Sequence, residues 1–280
     1  MSGSPDLIPG VIDSVIWSDD RWPGGNRPIV FVVHSPEAPE TDMTAENVAR
    51  YLATSPRIAS VHFCSDNNSV VRTARDTDRV AGAGGANDIG LHVEIAGYAG
   101  QTAEQWMDNY SRAALMKTAI LFAEVAHKHW GIPARTMTDA QLRSKTYPGI
   151  VTHAQCVRVF GGSHWDPGPN FPMNYFVGLC NGQIKGDDMA AFKDWNEQFN
   201  KAKPNEYDPV VAFIQWGLSV ILDPDGEPFY GAEWRRDGKK GPITKAAWTN
   251  FERTYVNPNG VANARMGKKA WRTFLRRLAR

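Results

Sequence analysis

The run PIVFVVHS, at residues 28–35, is the feature that most limits how this chain can fold. It is continuous, apolar and rich in β-branched residues, a pattern typical of a strand that is buried on both faces of a sheet. Strands of this kind occur in α/β proteins, whose helices cover both faces of the sheet. Because His34 lies at the end of the run, the sequence predicts that a buried strand delivers an imidazole to the edge of the sheet.

The segments that follow alternate between strand patterns and helix patterns. We expect strands in IASVHFCSD, NSVVRTAR and IGLHVEIAG, and a strand or strand end in GIVTHAQC. A short helix with Thr44 as a possible N-cap is predicted from MTAENVARYLATSP, and another helix from FPMNYFVGLC. The clearest helix spans residues 103–130, with Thr102 and Gln105 as a capping box. The expected fold is an α/β domain with a mixed central sheet flanked by helices.

The last third of the chain has a different character. We expect an α/β domain at residues 1–182, a helix and linker at 183–206, and a small three-helix domain at 207–280. Residues 205–280 carry thirteen Lys or Arg and eight Asp or Glu, although the whole chain has a net charge of only +1. This local excess suits a polyanionic surface or an ordinary solvated basic face, and the overall balance gives no general attraction to nucleic acid.

The composition argues against several other classes of protein. Hydrophobic residues make up 42% and charged residues 22% of the chain, as in an ordinary globular protein. The three cysteines form no C-x-x-C motif, which argues against a disulfide scaffold and against a cysteine zinc site. No segment reaches the roughly 18 apolar residues of a membrane span. Since the N-terminus lacks a signal-peptide pattern, we expect synthesis in the cytoplasm without export by that route.

Three residues, His34, His153 and Asp166, are of types that bind metals. Two imidazoles and one carboxylate, with a fourth position open to water, form a catalytic zinc arrangement. Pro167 and Pro169 follow Asp166 and hold the backbone rigid there. Many chains contain three such residues by chance, so the trio alone is weak support for a zinc site. The chain has neither H-E-x-x-H nor the P-C-x-x-C of the zinc deaminases, which excludes those two classes.

A series of short motifs runs through residues 25–182 in a fixed order: IVFVVH, SVHF, AGAG, IGLHVEIAG, TH and HWDPGPNF. The series resembles the zinc-dependent N-acetylmuramoyl-L-alanine amidases of the type 2 class, which share a fold with peptidoglycan recognition proteins. The resemblance implies a Zn²⁺ cofactor and hydrolysis of the amide between N-acetylmuramic acid and the L-alanine of the peptidoglycan stem peptide. It maps the zinc ligands onto His34, His153 and Asp166.

Two positions depart from the family pattern. Family members often have a Lys two residues before the third ligand, where this chain has His164, which can donate a hydrogen bond to an oxyanion. The strand that carries the family's catalytic Glu is two residues longer here between its glycines. Counting from Gly90 puts His92 at the catalytic position, and counting back from Gly97 puts Glu94 there. Both side chains lie on one face of a strand, and we choose Glu94 as the general base because a carboxylate is the better proton shuttle beside a zinc-held water.

The tail resembles the three-helix peptidoglycan-binding domain of many cell-wall hydrolases, through IQWGL, DGKKGPITKAAWTNF and GVANARMGKKAWRTFL. Both resemblances name the same polymer. Together they imply a bacteriolytic enzyme like a phage endolysin, which reaches the cell wall after a holin-type release.

Two alternatives to this interpretation remain open. A non-catalytic peptidoglycan recognition protein keeps the groove but loses zinc ligands, whereas this chain keeps all three ligand positions. The basic tail also has an apolar stripe, which permits binding to a membrane surface, although an internal core face explains the stripe equally well. The stripe consists of Trp271, Phe274, Leu275 and Leu278.

Overall fold

The computed structural model describes residues 3–183, 199–202, 209–230 and 239–258, and the single positions 270, 273, 274 and 277. The chain divides into two compact units. The first contains Met1–Leu7 and Ile12–Asn181, and the second contains Ile8–Val11 and Gly182–Arg280. The expected linker at residues 183–206 lies mostly outside the described residues, and the three-part division of the chain stays a prediction.

A mixed six-stranded sheet forms the centre of the first unit. The strands are β1 (Ser14–Val15), β2 (Arg21–Trp22), β3 (Val30–His34), β4 (Phe63–Ser65), β5 (Val70–Arg72), β6 (Arg79–Val80), β7 (Gly90–Ile95) and β8 (Gly149–Thr152). The order across the sheet is β1-β5-β4-β7-β3-β8, in which only β4 and β5 are antiparallel, and β2 pairs separately with β6. This confirms the predicted fold class, and all five residues of β3 are buried, as its sequence predicts.

Helices flank the sheet. They are α1 (Thr44–Thr54), α2 (Asn109–Leu121), α3 (Lys128–Trp130), α4 (Asp139–Ser144), α5 (His153–Phe160) and α6 (Met173–Cys180). A 3₁₀ turn at Gln105–Met107 precedes α2, and a π-helical turn at Phe122–His127 joins α2 to α3. The second unit contains α7 (Pro209–Val220) and α8 (Pro242–Phe251), followed by a π-helical turn at Glu252–Val256.

The two faces of the sheet are covered by different helices. On one face, Phe31 of β3 packs against Phe122 and Phe176, with ring centres 5.3 and 6.5 Å away. On the other face, α5 covers β3 and β8 through an apolar cluster that includes Val32 and Cys156.

Helix α1 covers the second face beyond α5, where its Leu52 belongs to a separate apolar cluster with Cys64 of β4. The register sets Cys64 beside Glu94, and Glu94 beside His34, so both clusters lie on one face of the sheet. A cleft lined by His34, Leu52 and His153 opens between the two helices, at the carboxyl ends of β3 and β7.

The expected N-cap of α1 is wrong by one residue. Met43 occupies the N-cap, and Thr44 is the first helical residue. The Thr44 hydroxyl donates to the Pro39 carbonyl at 2.6 Å. The first turn is capped instead by Asp66, whose Oδ2 accepts from the Ala45 amide at 2.9 Å.

The long helix expected from residue 103 begins later than its capping box predicts. Thr102 and Gln105 do exchange the two reciprocal hydrogen bonds, at 2.8 and 3.3 Å, but they cap only the 3₁₀ turn. The regular helix starts at Asn109, because Asp108 accepts from the Ser111 amide at 2.9 Å and acts as its N-cap. Trp106 is fully buried between these two caps.

The second unit has an aromatic core. Phe274 is fully buried and lies 5.5 Å from Trp248, measured between ring centres. Phe274 belongs to the apolar stripe of the tail, and its burial fits the alternative in which that stripe is an internal core face. The other stripe residues, Trp271, Leu275 and Leu278, lie outside the described residues. None of the helices in the described ranges has the length and apolar character that crossing a bilayer requires.

Candidate active site

Strand register sets two of the expected site residues side by side. His34 ends β3 and is the direct partner of Glu94 in the neighbouring parallel strand β7. The side chains of such partners point to the same face of the sheet, with the strands about 4.8 Å apart. Because both residues lie at the carboxyl ends of their strands, they reach the floor of the cleft.

The other two members of the site come from the segment after β8. His153 is the first residue of α5, whose N-cap Thr152 accepts from the Gln155 amide at 3.1 Å. The Asp166 carbonyl accepts from the Ala154 amide at 2.8 Å, which ties the Asp-Pro-Gly-Pro turn to the start of α5. Gly168 adopts a φ of 87° in this turn and packs so closely on the Ala99 carbonyl that a Cβ has no room.

These elements bring the three expected metal ligands together. His34 Nδ1 lies 3.1 Å from His153 Nδ1 and 3.4 Å from Asp166 Oδ2. His153 Nδ1 lies 2.9 Å from Asp166 Oδ1. All three residues are buried, and their donor atoms lie within 4.8 Å of one another.

The donor set fits a zinc ion. A tetrahedral zinc with bonds of about 2.0–2.1 Å to nitrogen holds its ligand atoms about 3.3 Å apart, close to the separations seen here. Within the described part of the chain, Asp166 Oδ2 is a buried oxygen with no hydrogen-bond partner. Two imidazole nitrogens and a carboxylate are ligands that zinc prefers, and they leave a position for substrate or water.

Burial and neighbouring charges set the protonation of the ligands. Burial lowers the pKa of His34, so its imidazole is held in the neutral form that binds metals. Burial alone would raise the pKa of Asp166, but its contacts with His153 and His34 outweigh burial and bring the pKa below its usual range. The site therefore offers a neutral His34 imidazole and an ionised Asp166 carboxylate.

Glu94 lines the cleft beside the trio. Burial raises the pKa of this carboxyl well above its usual range, with further contributions from the charges of Asp166 and Glu37. Its Oε2 is buried and has no hydrogen-bond partner among the described residues, so its lone pairs are available to a ligand. The geometry suits proton transfer at this carboxylate.

His92 has a different position from Glu94, although both side chains lie on one face of β7. Its side chain is fully buried, and it is absent from the described residues that line the cleft. His92 Nδ1 lies 3.0 Å from His34 Nε2, on the side of the His34 ring away from Asp166. His62 is also fully buried, and burial lowers its pKa to about 4.

His164 is the exposed member of the site. Its ring stacks on His153, with 4.7 Å between the ring centres and 18° between the planes. Its Nδ1 lies 3.7 Å from Asp166 Oδ1, and the residue lines the cleft. An imidazole here can donate to an oxygen that sits beside the trio.

The cleft has a volume of about 360 Å³ and a partly apolar rim. Tyr51 and Ile58 line this rim, with 58% and 74% of their surfaces exposed, and Arg57 lies between them in the chain. Sequence patterns did not indicate these residues, because Tyr51 lies on the exposed side of α1 and the other two lie in the loop after that helix. Their place in the cleft follows only from how α1 and the loop after it fold over the sheet.

The amino-acid sequence is similar to one family of known proteins. A sequence profile of the family described as N-acetylmuramoyl-L-alanine amidase matches residues 24–169. A search of curated proteins found no significant match.

Several solved structures are similar at low sequence identity. They include the Staphylococcus aureus hydrolase AmiA in complex with its ligand, the endolysin amidase LysCS from Clostridium intestinale URNW, and AmpD. Their identities to this chain are 15%, 12% and 16%, with TM-scores of 0.46, 0.40 and 0.42. The alignments cover 66%, 61% and 64% of this chain and 88%, 97% and 99% of those chains, in the same order.

The family profile decides the identity, because it spans more than half of the chain. Its matched range includes β3, β7 and the candidate metal ligands His34, His153 and Asp166. The chain therefore belongs to the N-acetylmuramoyl-L-alanine amidase family.

Proposed function

We propose that this protein is a zinc-dependent peptidoglycan hydrolase, which cleaves the amide bond between N-acetylmuramic acid and the L-alanine of the stem peptide. The observation that carries the proposal is the convergence of His34, His153 and Asp166 beside Glu94 in an open cleft. Family membership supplies the substrate class, and the donor set supports zinc.

The trio would hold zinc through His34 Nδ1, His153 Nδ1 and a carboxylate oxygen of Asp166. When bound, zinc supplies a Lewis acid for the scissile carbonyl and acidifies a water. The remaining chemistry belongs to side chains of the protein. The apolar rim and Arg57 of the cleft would hold the sugar and the peptide on either side of that carbonyl.

Glu94 would act as the general base. In the ionised form of Glu94, the unpartnered Oε2 would take a proton from the attacking water and return that proton to the amine of L-alanine as the amine leaves. A carboxylate suits both transfers because it accepts in one step and donates in the next.

His164 would stabilise the oxyanion that develops on the scissile carbonyl. The ring is exposed at the cleft and is held in place by stacking on His153. A donor fixed in advance at the site of developing charge lowers the barrier, because no reorganisation is needed when the charge appears.

The alternative function, non-catalytic recognition of peptidoglycan, is less well supported. It requires only the groove. A buried trio that includes an unpartnered carboxylate oxygen costs stability unless a cation fills it, and this favours the catalytic interpretation.

We also propose an endolysin-like role, in which residues 207–280 anchor the enzyme to the cell wall. The support is the resemblance of IQWGL and GPITKAAWTNF to peptidoglycan-binding modules, together with the basic character of residues 205–280. Release to the wall by a holin-type route belongs to this proposal.

Asp166→Ala tests the zinc site directly. We expect the zinc content to fall from about one equivalent per chain to background, since only two ligands remain, and lysis of purified walls to be lost. The control is Asp139→Ala, which removes an exposed carboxylate that pairs with Arg158 at 2.7 Å. Zinc analysis and a wall-turbidity assay on both variants decide the matter, and an Asp166→Ala variant with full zinc and full activity would contradict the assignment.

A further inference from the structure

A line of hydrogen-bonding groups leads from the metal-binding trio into the protein interior. His34 Nε2 lies 3.0 Å from His92 Nδ1. On the far side of that ring, His92 Nε2 lies 3.2 Å from the Ala86 carbonyl oxygen. Both imidazoles are buried, so each contact replaces one that water would otherwise make.

The last group in the line fixes the direction of every bond before it. A carbonyl oxygen only accepts, so His92 Nε2 must carry the proton and donate to Ala86. In the neutral ring, His92 Nδ1 then has a lone pair and accepts from His34 Nε2. His34 Nε2 is therefore protonated, which leaves the lone pair of His34 on Nδ1, the atom that faces His153 and Asp166.

The surroundings of His92 show that its position is built into the fold. A Cβ on Gly82 would lie 2.7 Å from His92 Nδ1, and a Cβ on Gly90 would lie 2.6 Å from His92 Nε2. Any other residue at either position would push the ring away. Gly82 of AGAG and Gly90 at the start of β7 thus leave space for the His92 imidazole in the protein interior.

Hydrogen bonds also hold the backbone of His92 in place. The His92 amide donates to His62 Nδ1 at 3.1 Å. His62 Nε2, which must then carry the proton, donates to the Asp78 carbonyl at 3.0 Å. A second buried imidazole therefore fixes the strand at the point where His92 leaves it.

We propose that His92 is a positioning residue, which selects the His34 tautomer with an unprotonated Nδ1 and aims that atom at the metal. The inference rests on the proposed zinc site. It also removes His92 as a candidate for the general base, because the residue contacts His34 rather than the cleft. Groups that orient a metal-binding imidazole typically contribute about 10- to 100-fold in metal affinity.

A matched pair of variants, His92→Asn and His92→Leu, tests the proposal. The Asn Oδ1 stands where the His Nδ1 stood and still accepts from His34 Nε2, whereas Leu has nearly the same shape as Asn and no acceptor. Zinc affinity is measured by competition with a chromophoric chelator, with circular dichroism of the metal-free proteins as the check on folding. We expect Leu to weaken zinc binding by about 10- to 100-fold and Asn to stay close to wild type.

Each outcome bears on the proposal. If Asn and Leu bind zinc equally tightly, or are equally weakened, His92 only fills space and the inference is wrong. If the wild-type protein binds no zinc, the proposed function fails and this inference fails with it. If only the Leu variant is weakened, the proposed function and the inference both stand.

A measurement on the wild-type protein covers the case in which a variant does not fold. Imidazole ¹⁵N chemical shifts of metal-free, histidine-labelled protein report which nitrogen of each ring is protonated. We expect a proton on Nε2 of both His34 and His92. A proton on His34 Nδ1 would overturn the inference.

Discussion

At the scale of single residues, two positions on one strand differ in what their side chains can reach. Glu94 and His92 share a face of β7. Glu94 lies near the end of the strand, where the cleft opens, and His92 lies two residues earlier, deeper in the sheet. A carboxylate in the cleft can meet a substrate, whereas a buried imidazole can act only through its neighbours. Depth in the sheet, rather than residue type, distinguishes the two.

Glu94→Gln should therefore lose activity without losing zinc. The amide is nearly isosteric but does not accept a proton, so we expect the rate of muropeptide cleavage to fall about 100-fold or more. Zinc content should stay at the wild-type level, because Glu94 is not a member of the ligand trio. Glu104→Gln, at an exposed position, is the control for the same chemical change. A Glu94→Gln variant with a near-normal rate would show that another group is the base.

The sequence predicted the members of the site but not all of their relations. His34, His153 and Asp166 were found through the order of motifs, and the structure places their donor atoms within 4.8 Å of one another. The contact between His92 and His34 could not be predicted from the sequence, because it depends on the register between β3 and β7 and on the space beside Gly82. Neither the strand register nor the space beside Gly82 follows from the local sequence.

At the scale of elements, helix ends were harder to predict than strands. The strand around His34 follows from its continuous apolar run, since a long buried pattern has few other solutions. The start of α2 did not follow from Thr102 and Gln105, although they form a genuine capping box. Trp106 is fully buried after the first turn, and the regular helix begins only after Asp108, which is its N-cap.

Two matched substitutions test this account of α2. Asp108→Ala should lower the free energy of unfolding by about 1 kcal/mol, because it removes the N-cap of a thirteen-residue helix. Thr102→Ala should cost less, because it caps only a three-residue 3₁₀ turn. Urea unfolding of the two variants under the same conditions compares them. If Thr102→Ala lowered the free energy of unfolding more than Asp108→Ala, Thr102 rather than Asp108 would be the cap that stabilises α2.

At the scale of the whole molecule, the sequence was most informative about chemistry and least informative about the tail. The motifs between residues 25 and 182 predicted the family, and the profile match to residues 24–169 confirms it. The middle of the tail forms a helix at Pro242–Phe251, as GPITKAAWTNF predicts. Most of the third expected helix lies outside the described residues, so the three-helix module stays a prediction.

Removal of residues 205–280 should separate wall binding from catalysis. We expect the shortened protein to bind purified cell walls more weakly, because the basic residues of the tail would no longer contact the wall. Cleavage of small soluble muropeptides should remain, because all residues of the site lie before residue 205. Co-sedimentation with walls and chromatography of the muropeptides measure the two properties. Equal wall binding by the full-length and shortened proteins would show that the tail is not the wall-binding module.

The most direct test of the whole account is to identify the bond that is cut and its dependence on zinc. Purified peptidoglycan is digested with the zinc-loaded protein, and the new amino termini and new reducing sugar ends are quantified. We predict new L-alanine amino termini without new reducing ends, lost after treatment with a chelator and restored by added zinc. New reducing ends without L-alanine termini, or release of L-alanine termini that a chelator does not reduce, would contradict a zinc-dependent amidase.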